Sequence, residues 1–346
     1  MLGKGARLLL YSASSDSISN MLSIMKLIRF GFVFSLFLAS VPGLFAEKVV
    51  LRVGHFPNVT HAQALVASQL QRQGKGWFEV RLGPDVSVEW RSYNAGPSAM
   101  EAIFADTIDL TYVGPGPTLN AYLKARGTEI RVVSGAARGG SALVIQGDGR
   151  ISQVTDFKGK KIATPQLGNT QDVAARVWMK KHGYQITQLG GDLLLLPTAN
   201  PEQIALFLSN QIDGAWTVEP WVSRLELEGK GRIYIEEREA ITTVLAASVK
   251  VLKTQPELVR KFVAAHVELT QWINAHPEEA KELVRAEIKE LTKRELPAVT
   301  MDQAWPRLTF STEISRENLD ALLKDAQSVG FLKGTTDLGR LLEIQK

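Results

Sequence analysis

Four short stretches of this 346-residue chain carry residues suited to gripping a small anion. They are Asn58-Val59-Thr60-His61, Gly114-Pro115-Gly116-Pro117-Thr118, Gln166-Leu167-Gly168-Asn169-Thr170-Gln171-Asp172 and Glu219-Pro220-Trp221, and each stands where a strand gives way to a helix. The first amides of a helix are unpaired, and the macrodipole adds about half a positive charge there. The first three stretches add neutral donors (Asn, Thr, Gln, His) and glycines that let a ligand come close to the backbone. Three such ends facing one gap would hold an oxyanion without lysine or arginine. Asn and Thr also cap helices in any protein, which accounts for one such corner by itself. Three corners together, one with two glycines, favour a ligand. Trp216 and Trp221 flank Glu219: an indole against an apolar part and a carboxylate beside it would suit an amine-bearing solute, whereas core packing is the commoner fate of tryptophan. Ala137-Arg138-Gly139-Gly140-Ser141 reads as a glycine-rich, donor-rich wall, with Arg138 available to an anion.

Other chemistries lack their residues. With no cysteine there is no disulfide framework, thiolate zinc site or thiol nucleophile. Gly114-x-Gly116 lacks the third glycine of a dinucleotide fingerprint, Gly139-Gly140-Ser141-Ala142-Leu143 fails the nucleophile elbow at its last position, and there is no Walker A loop or His-Glu-x-x-His helix. His266 and His276 lie near Glu268, Glu278 and Glu279 and read as a solvated helix face rather than a metal site. No metal or cofactor is expected.

The elements that must position the corners alternate. Strands are expected at 49–54, 86–93, 109–113 and 130–134, with helices at 62–71, 97–105 and 117–124. A second series has strands at 142–145, 161–164, 193–196, 214–218 and 243–248, with helices at 170–182, 201–210 and 220–228. Such alternation builds mostly parallel sheets covered by helices, with ligands outside the carboxyl ends of the strands. From Pro256 onward the pattern is helical, with Thr300-Met301-Asp302-Gln303 as a capping box.

Ahead of this, Met25-Lys26-Leu27-Ile28-Arg29, the apolar run Phe30–Ala39 and the small residue Ala46 have the order of a secretory signal peptide. The run is too short to span a bilayer, so cleavage near Ala46 is expected, with Met21 or Met25 as the start. The formal charge is +4, and removing the net +3 of residues 1–46 leaves +1. That balance gives no electrostatic reason to bind nucleic acid.

At these corners the chain resembles the periplasmic substrate-binding proteins of ABC importers, in their nitrate, sulfonate and taurine group. The carrying residues are Gly54–Ala62, Tyr112–Pro117, Asp156–Ala163, Thr164–Asp172 and Asp213–Trp221, and the resemblance runs from Val49 to about Lys281. It implies an α/β fold of type II with two lobes, each a mixed, mostly parallel sheet flanked by helices, and a helical C-terminal tail. The first lobe would hold 47–136, the second 137–245, and 246–346 would return to the first; hinges would lie near 135–141 and 242–248. The resemblance further implies a monomer in the periplasm that closes on a small solute and delivers it to a membrane permease. Ligand contacts carry over to Asn58, Thr60, His61, Gly114, Gly116, Ser141, Asn169, Thr170, Trp216 and Glu219. Aliphatic sulfonate or taurine is the expected solute, with nitrate and bicarbonate as further members of the class. A secreted enzyme on the same fold, or a receptor for a pyrimidine precursor of thiamine, is the alternative.

Overall fold

A computed structural model describes residues 48–187, 190–332 and 337–343, so the expected signal peptide lies outside the described residues. The first lobe begins with β1 (Val49–His55), β2 (Val86–Ser92), β3 (Leu110–Val113) and β4 (Ile130–Gly139). The second holds β5 (Ser141–Ile145), β6 (Lys161–Thr164), the short ribbon β7 (Ile186–Thr187) and β8 (Gly190–Gly191), then β9 (Leu194–Pro197), β10 (Gly214–Val218) and β11 (Arg232–Glu237). The chain then returns through β12 (Ile241–Ser248) and β13 (Leu308–Phe310).

The first sheet has the order β13-β4-β12-β3-β1-β2 and the second β11-β5-β10-β6-β9. Both are mixed. The βαβ portions pair in parallel (β2, β1 and β3; β10, β6 and β9), and antiparallel pairing enters with the strands that run to or from the crossings. Every residue of β3 and β10 is buried, as strands covered on both faces require.

Two segments join the lobes. Gly140 separates β4 from β5, and residues 238–240 separate β11 from β12. The second crossing therefore precedes 242–248, a stretch that lies inside a strand of the first sheet. Residues 137–139 are likewise the end of β4, not a loose turn. Gly139 and Gly140 have φ of +71° and +67°, and a Cβ on Gly139 would strike the carbonyl oxygen of Arg307. Glycine is needed at this corner on both counts.

The C-terminal third is mainly helical and mostly backs the first lobe. Helix Pro256–Ala275 buries Val259, Phe262, Leu269 and Ile273, and Phe262 stacks on Phe78 at 4.1 Å. Helix Pro277–Thr292 adds Ala280, Leu283, Val284 and Ile288 to the same core. Three expectations fail here. A strand, β13, interrupts the helices. Thr300 lies inside helix Ala298–Ala304 behind the cap residue Pro297, so it caps nothing. His266 is fully buried: its Nδ1 meets Tyr112 Oη at 3.0 Å and its Nε2 meets the Gly135 carbonyl at 2.9 Å. An apolar stripe at helical spacing buries whichever polar residue falls within it. Among the described residues there is no His/Asp/Glu group able to hold a metal, and no helix long and apolar enough to cross a membrane.

Burial pushes the His266 and His55 rings down to about 4 from 6.5. Both stay neutral in the fold while the unfolded chain binds protons below its own pKa. Stability is therefore complete above pH 6.5 and falls as the pH drops from 6.5 to about 4, by about 3 kcal/mol for each ring. Urea midpoints measured across that interval should decline steadily, and because His61 is buried and neutral as well, His266→Gln should flatten the decline by no more than about a third.

Candidate functional site

Five helix N-termini meet at one gap between the lobes. The first lobe contributes Asn58, before the turn that leads into helix Ala62–Arg72; Ala95 and Gly96, opening helix Gly96–Phe104; and Gly114, the cap of helix Pro115–Lys124. The second contributes Asn169, Thr170 and Gln171, opening helix Thr170–Lys181, and Asn200, the first residue of helix Asn200–Leu208. Phe56, Thr60, His61 and Thr242 complete much of the wall around the gap. Among the described residues, no lysine, arginine, aspartate or glutamate lines it.

The hydrogen-bond directions give this cavity its sign. Asn58 Oδ1 accepts from Trp221 Nε1 at 2.8 Å, Asn200 Oδ1 from Thr217 Oγ1 at 3.2 Å, and Gln171 Oε1 from Asn169 Nδ2 at 3.2 Å. Each amide has its oxygen engaged, and what it can offer a ligand is N–H. Burial drives the His61 ring well below 6.5, so it is neutral; its Nδ1 accepts from the Phe56 amide at 3.4 Å, which places the ring proton on Nε2. With the helix amides, the cavity is rich in donors and holds no formal cation.

The lobes touch across the gap. Val59 N donates to the Glu219 carbonyl at 3.0 Å, and Gly116 N donates to Thr170 Oγ1 at 3.2 Å. Trp221 Nε1 to Asn58 is a third link. This is a closed arrangement.

Asn58, Thr60, His61, Gly114, Asn169 and Thr170 all line the cavity. Four other candidates do not. The Gly116 amide is spent on Thr170. Ser141 donates to Glu237 Oε2 at 2.6 Å in a neighbouring chamber. Trp216 is 1% exposed, packs in the second-lobe core and donates its Nε1 to the same Glu237 oxygen at 2.9 Å, so it covers no cavity. Glu219 is fully buried; it accepts from Ser223 N and Oγ, both at 3.0 Å, and pairs with Arg307 Nη1 at 2.8 Å. Arg138 faces Asn318 instead of the cavity. Sequence reasoning missed Ala95, Gly96 and Asn200, and it placed Gln171 in a donor-bearing corner without naming it as a ligand contact. Asn94-Ala95-Gly96-Pro97 has the same composition as the other corners and follows a strand, and Asn200-Pro201 was legible as a helix start but not as a cavity wall.

Two lobes crossed twice by the chain, with helix tips facing the gap, define the periplasmic-binding-protein architecture. The solved alkanesulfonate-binding protein of Xanthomonas axonopodis pv. citri bound to MOPS superposes with a TM-score of 0.66 at 20% identity, over 82% of this chain and 93% of that one. The periplasmic nitrate-binding protein of Synechocystis PCC 6803 does so with a TM-score of 0.71 at 14% identity, over 84% of each chain. Both likenesses establish the fold. In sequence, a Brucella abortus protein named as a binding protein is 24% identical, over 88% of this chain and 89% of the relative. The chain belongs to the NMT1-like family, whose profile matches residues 45–288.

Proposed function

We propose that this protein is the solute-binding receptor of an ABC importer and that its solute is a small oxyanion, with aliphatic sulfonates and taurine first and nitrate or bicarbonate behind them. The observation that carries this reading is the donor-rich cavity: five helix tips and three side-chain amides whose oxygens are already engaged. A tetrahedral sulfonate offers three acceptor oxygens and needs hydrogen bonds at low net charge, which oriented amides supply. The solute enters between open lobes, the second-lobe donors Asn169, Gln171 and Asn200 close on it, and the closed form docks on a membrane permease. The working compartment is the periplasm. The cavity holds no acid–base pair, which favours binding over turnover. The named ligands of the fold relatives point the same way.

Thermal denaturation of the mature chain tests this. At a hundred times its dissociation constant a ligand adds about 2.7 kcal/mol, or roughly 5 °C for a chain of this size. A shift of that order with ethanesulfonate, taurine, nitrate or bicarbonate is expected. No shift with any of them, at millimolar concentrations, would overturn the reading.

A further inference from the structure

Trp221, the first residue of helix Trp221–Leu227, belongs to the second lobe, where it is buried with Val144, Ile204, Phe207 and Leu225. Its indole Nε1 reaches across the cleft and donates to Asn58 Oδ1 at 2.8 Å. One residue on, Val59 N donates to the Glu219 carbonyl, so the 58–59 corner of one lobe docks on the 219–221 corner of the other.

An indole N–H can only donate, so the amide atom that meets it is the oxygen. Asn58 Nδ2 makes no hydrogen bond to a described residue, and Asn58 lines the cavity. A primary amide turned by half a rotation presents oxygen where it had presented N–H. With Trp221 in place, that turn would set donor against donor in buried surroundings and leave both unsatisfied. The other two cavity amides are set within their own lobe, Asn200 by Thr217 and Gln171 by Asn169. Asn58 alone among the three takes its orientation from the opposite lobe.

We infer that Trp221 is a positioning residue that ties closure of the lobes to the hydrogen-bonding sign of the guest. A guest that accepts from Asn58 Nδ2 turns Oδ1 toward the indole and so adds a bond between the lobes. A guest that donates to Asn58 competes with Trp221 for the same oxygen. The coupling is reciprocal: a closed cleft favours acceptors by as much as acceptors favour closure. This inference rests on the oxyanion reading above and adds the residue that enforces it.

Calorimetric titration of the mature chain with two acceptor-only anions, nitrate and methanesulfonate, and their donor-bearing counterparts, bicarbonate and sulfamate, tests this. In the tighter-binding pair, Trp221→Phe is expected to weaken the acceptor-only anion about tenfold, the upper range of one net hydrogen bond, and its counterpart no more than about threefold. The turned amide still serves a guest that donates, whereas a contact that merely tied the lobes would weaken both members equally. In an Asn58→Ala background, Trp221→Phe should leave the ratio within about twofold, because no amide remains to orient. Heteronuclear spectra of protein labelled at tryptophan cover the case in which Trp221→Phe does not fold. One indole N–H signal should shift when the wild type is saturated with the tighter anion, and stay in place in Asn58→Ala. Equal losses for both members of the pair, or no indole signal with that behaviour, overturn the role of Trp221 and leave the oxyanion receptor intact. Failure of all four anions to bind the wild type overturns the oxyanion reading and this inference with it.

Discussion

The Gly114→Val variant is expected to lose at least about a hundredfold in affinity for the best-binding sulfonate, with no loss of melting temperature in ligand-free buffer. Gly114 has φ −65° and ψ 146°, a conformation open to valine, so its own lobe accepts the change. The obstacle is on the other lobe. A Cβ built on Gly114 would fall well inside contact distance of Thr170 Oγ1, and that hydroxyl is already tied to the Gly116 amide. The added side chain holds the lobes apart and withdraws Asn169, Gln171 and Asn200 from the ligand. A hundredfold corresponds to about 2.7 kcal/mol, which two or three lost donor bonds readily exceed. Calorimetry against the wild type reads the loss, and Thr170→Ala added to Gly114→Val should recover part of it by removing the clashing hydroxyl. An affinity within threefold of wild type would mean that this approach is not the one that closes the cleft.

Much of the scaffold was legible because its signals are local. Strand–helix alternation, prolines in first turns and glycines at corners located most of the first-lobe elements and the cavity residues Asn58, His61, Asn169 and Thr170. What escaped was set by partners distant in sequence. β13 pairs with β4 across about 170 residues, and no periodicity in Leu308–Phe310 announces it. Trp216 and Glu219 carry side-chain types that suit a ligand site, yet strand β10 is covered on both faces and the helix after it turns the carboxylate inward to Ser223. The same residue types serve core and cleft, and only tertiary packing decides between them. Gln171 shows the converse: unremarkable in sequence, it becomes a donor because Asn169 occupies its oxygen.

Glu219 acquires its role from Arg307, a residue that nothing in the sequence links to it. Arg307 stands just before β13, beside the Gly140 crossing, and its Nη1 reaches Glu219 Oε1 and Ser223 Oγ at 2.8 and 3.1 Å. Its Nη2 lies 2.8 Å from Glu226 Oε2 and its Nε 3.8 Å from Glu236 Oε1. One arginine from the returning segment thus neutralises carboxylates of the second lobe at the pivot. Arg307→Ala is expected to cost about 3–5 kcal/mol at neutral pH, because the fully buried Glu219 would keep its charge with only the neutral Ser223 donors against it. Burial pushes the Glu219 carboxyl above 4.5, and Arg307 and Ser223 pull it back; removing Arg307 lets it rise further. A carboxyl with a raised folded-state pKa contributes fully below its unfolded value and loses that contribution as the pH climbs through the raised one. The deficit of Arg307→Ala relative to wild type should therefore be largest at neutral pH and shrink toward pH 4.5, the ordinary carboxyl value, because the raised carboxyl takes up its proton in the fold above that point; taking the difference cancels the histidine losses common to both proteins. Replacing the pair together, with Arg307→Met and Glu219→Gln, should restore most of the stability. Urea midpoints of the three proteins at both pH values read this, and a deficit that grows on acidification would show that the arginine serves something other than this buried carboxylate.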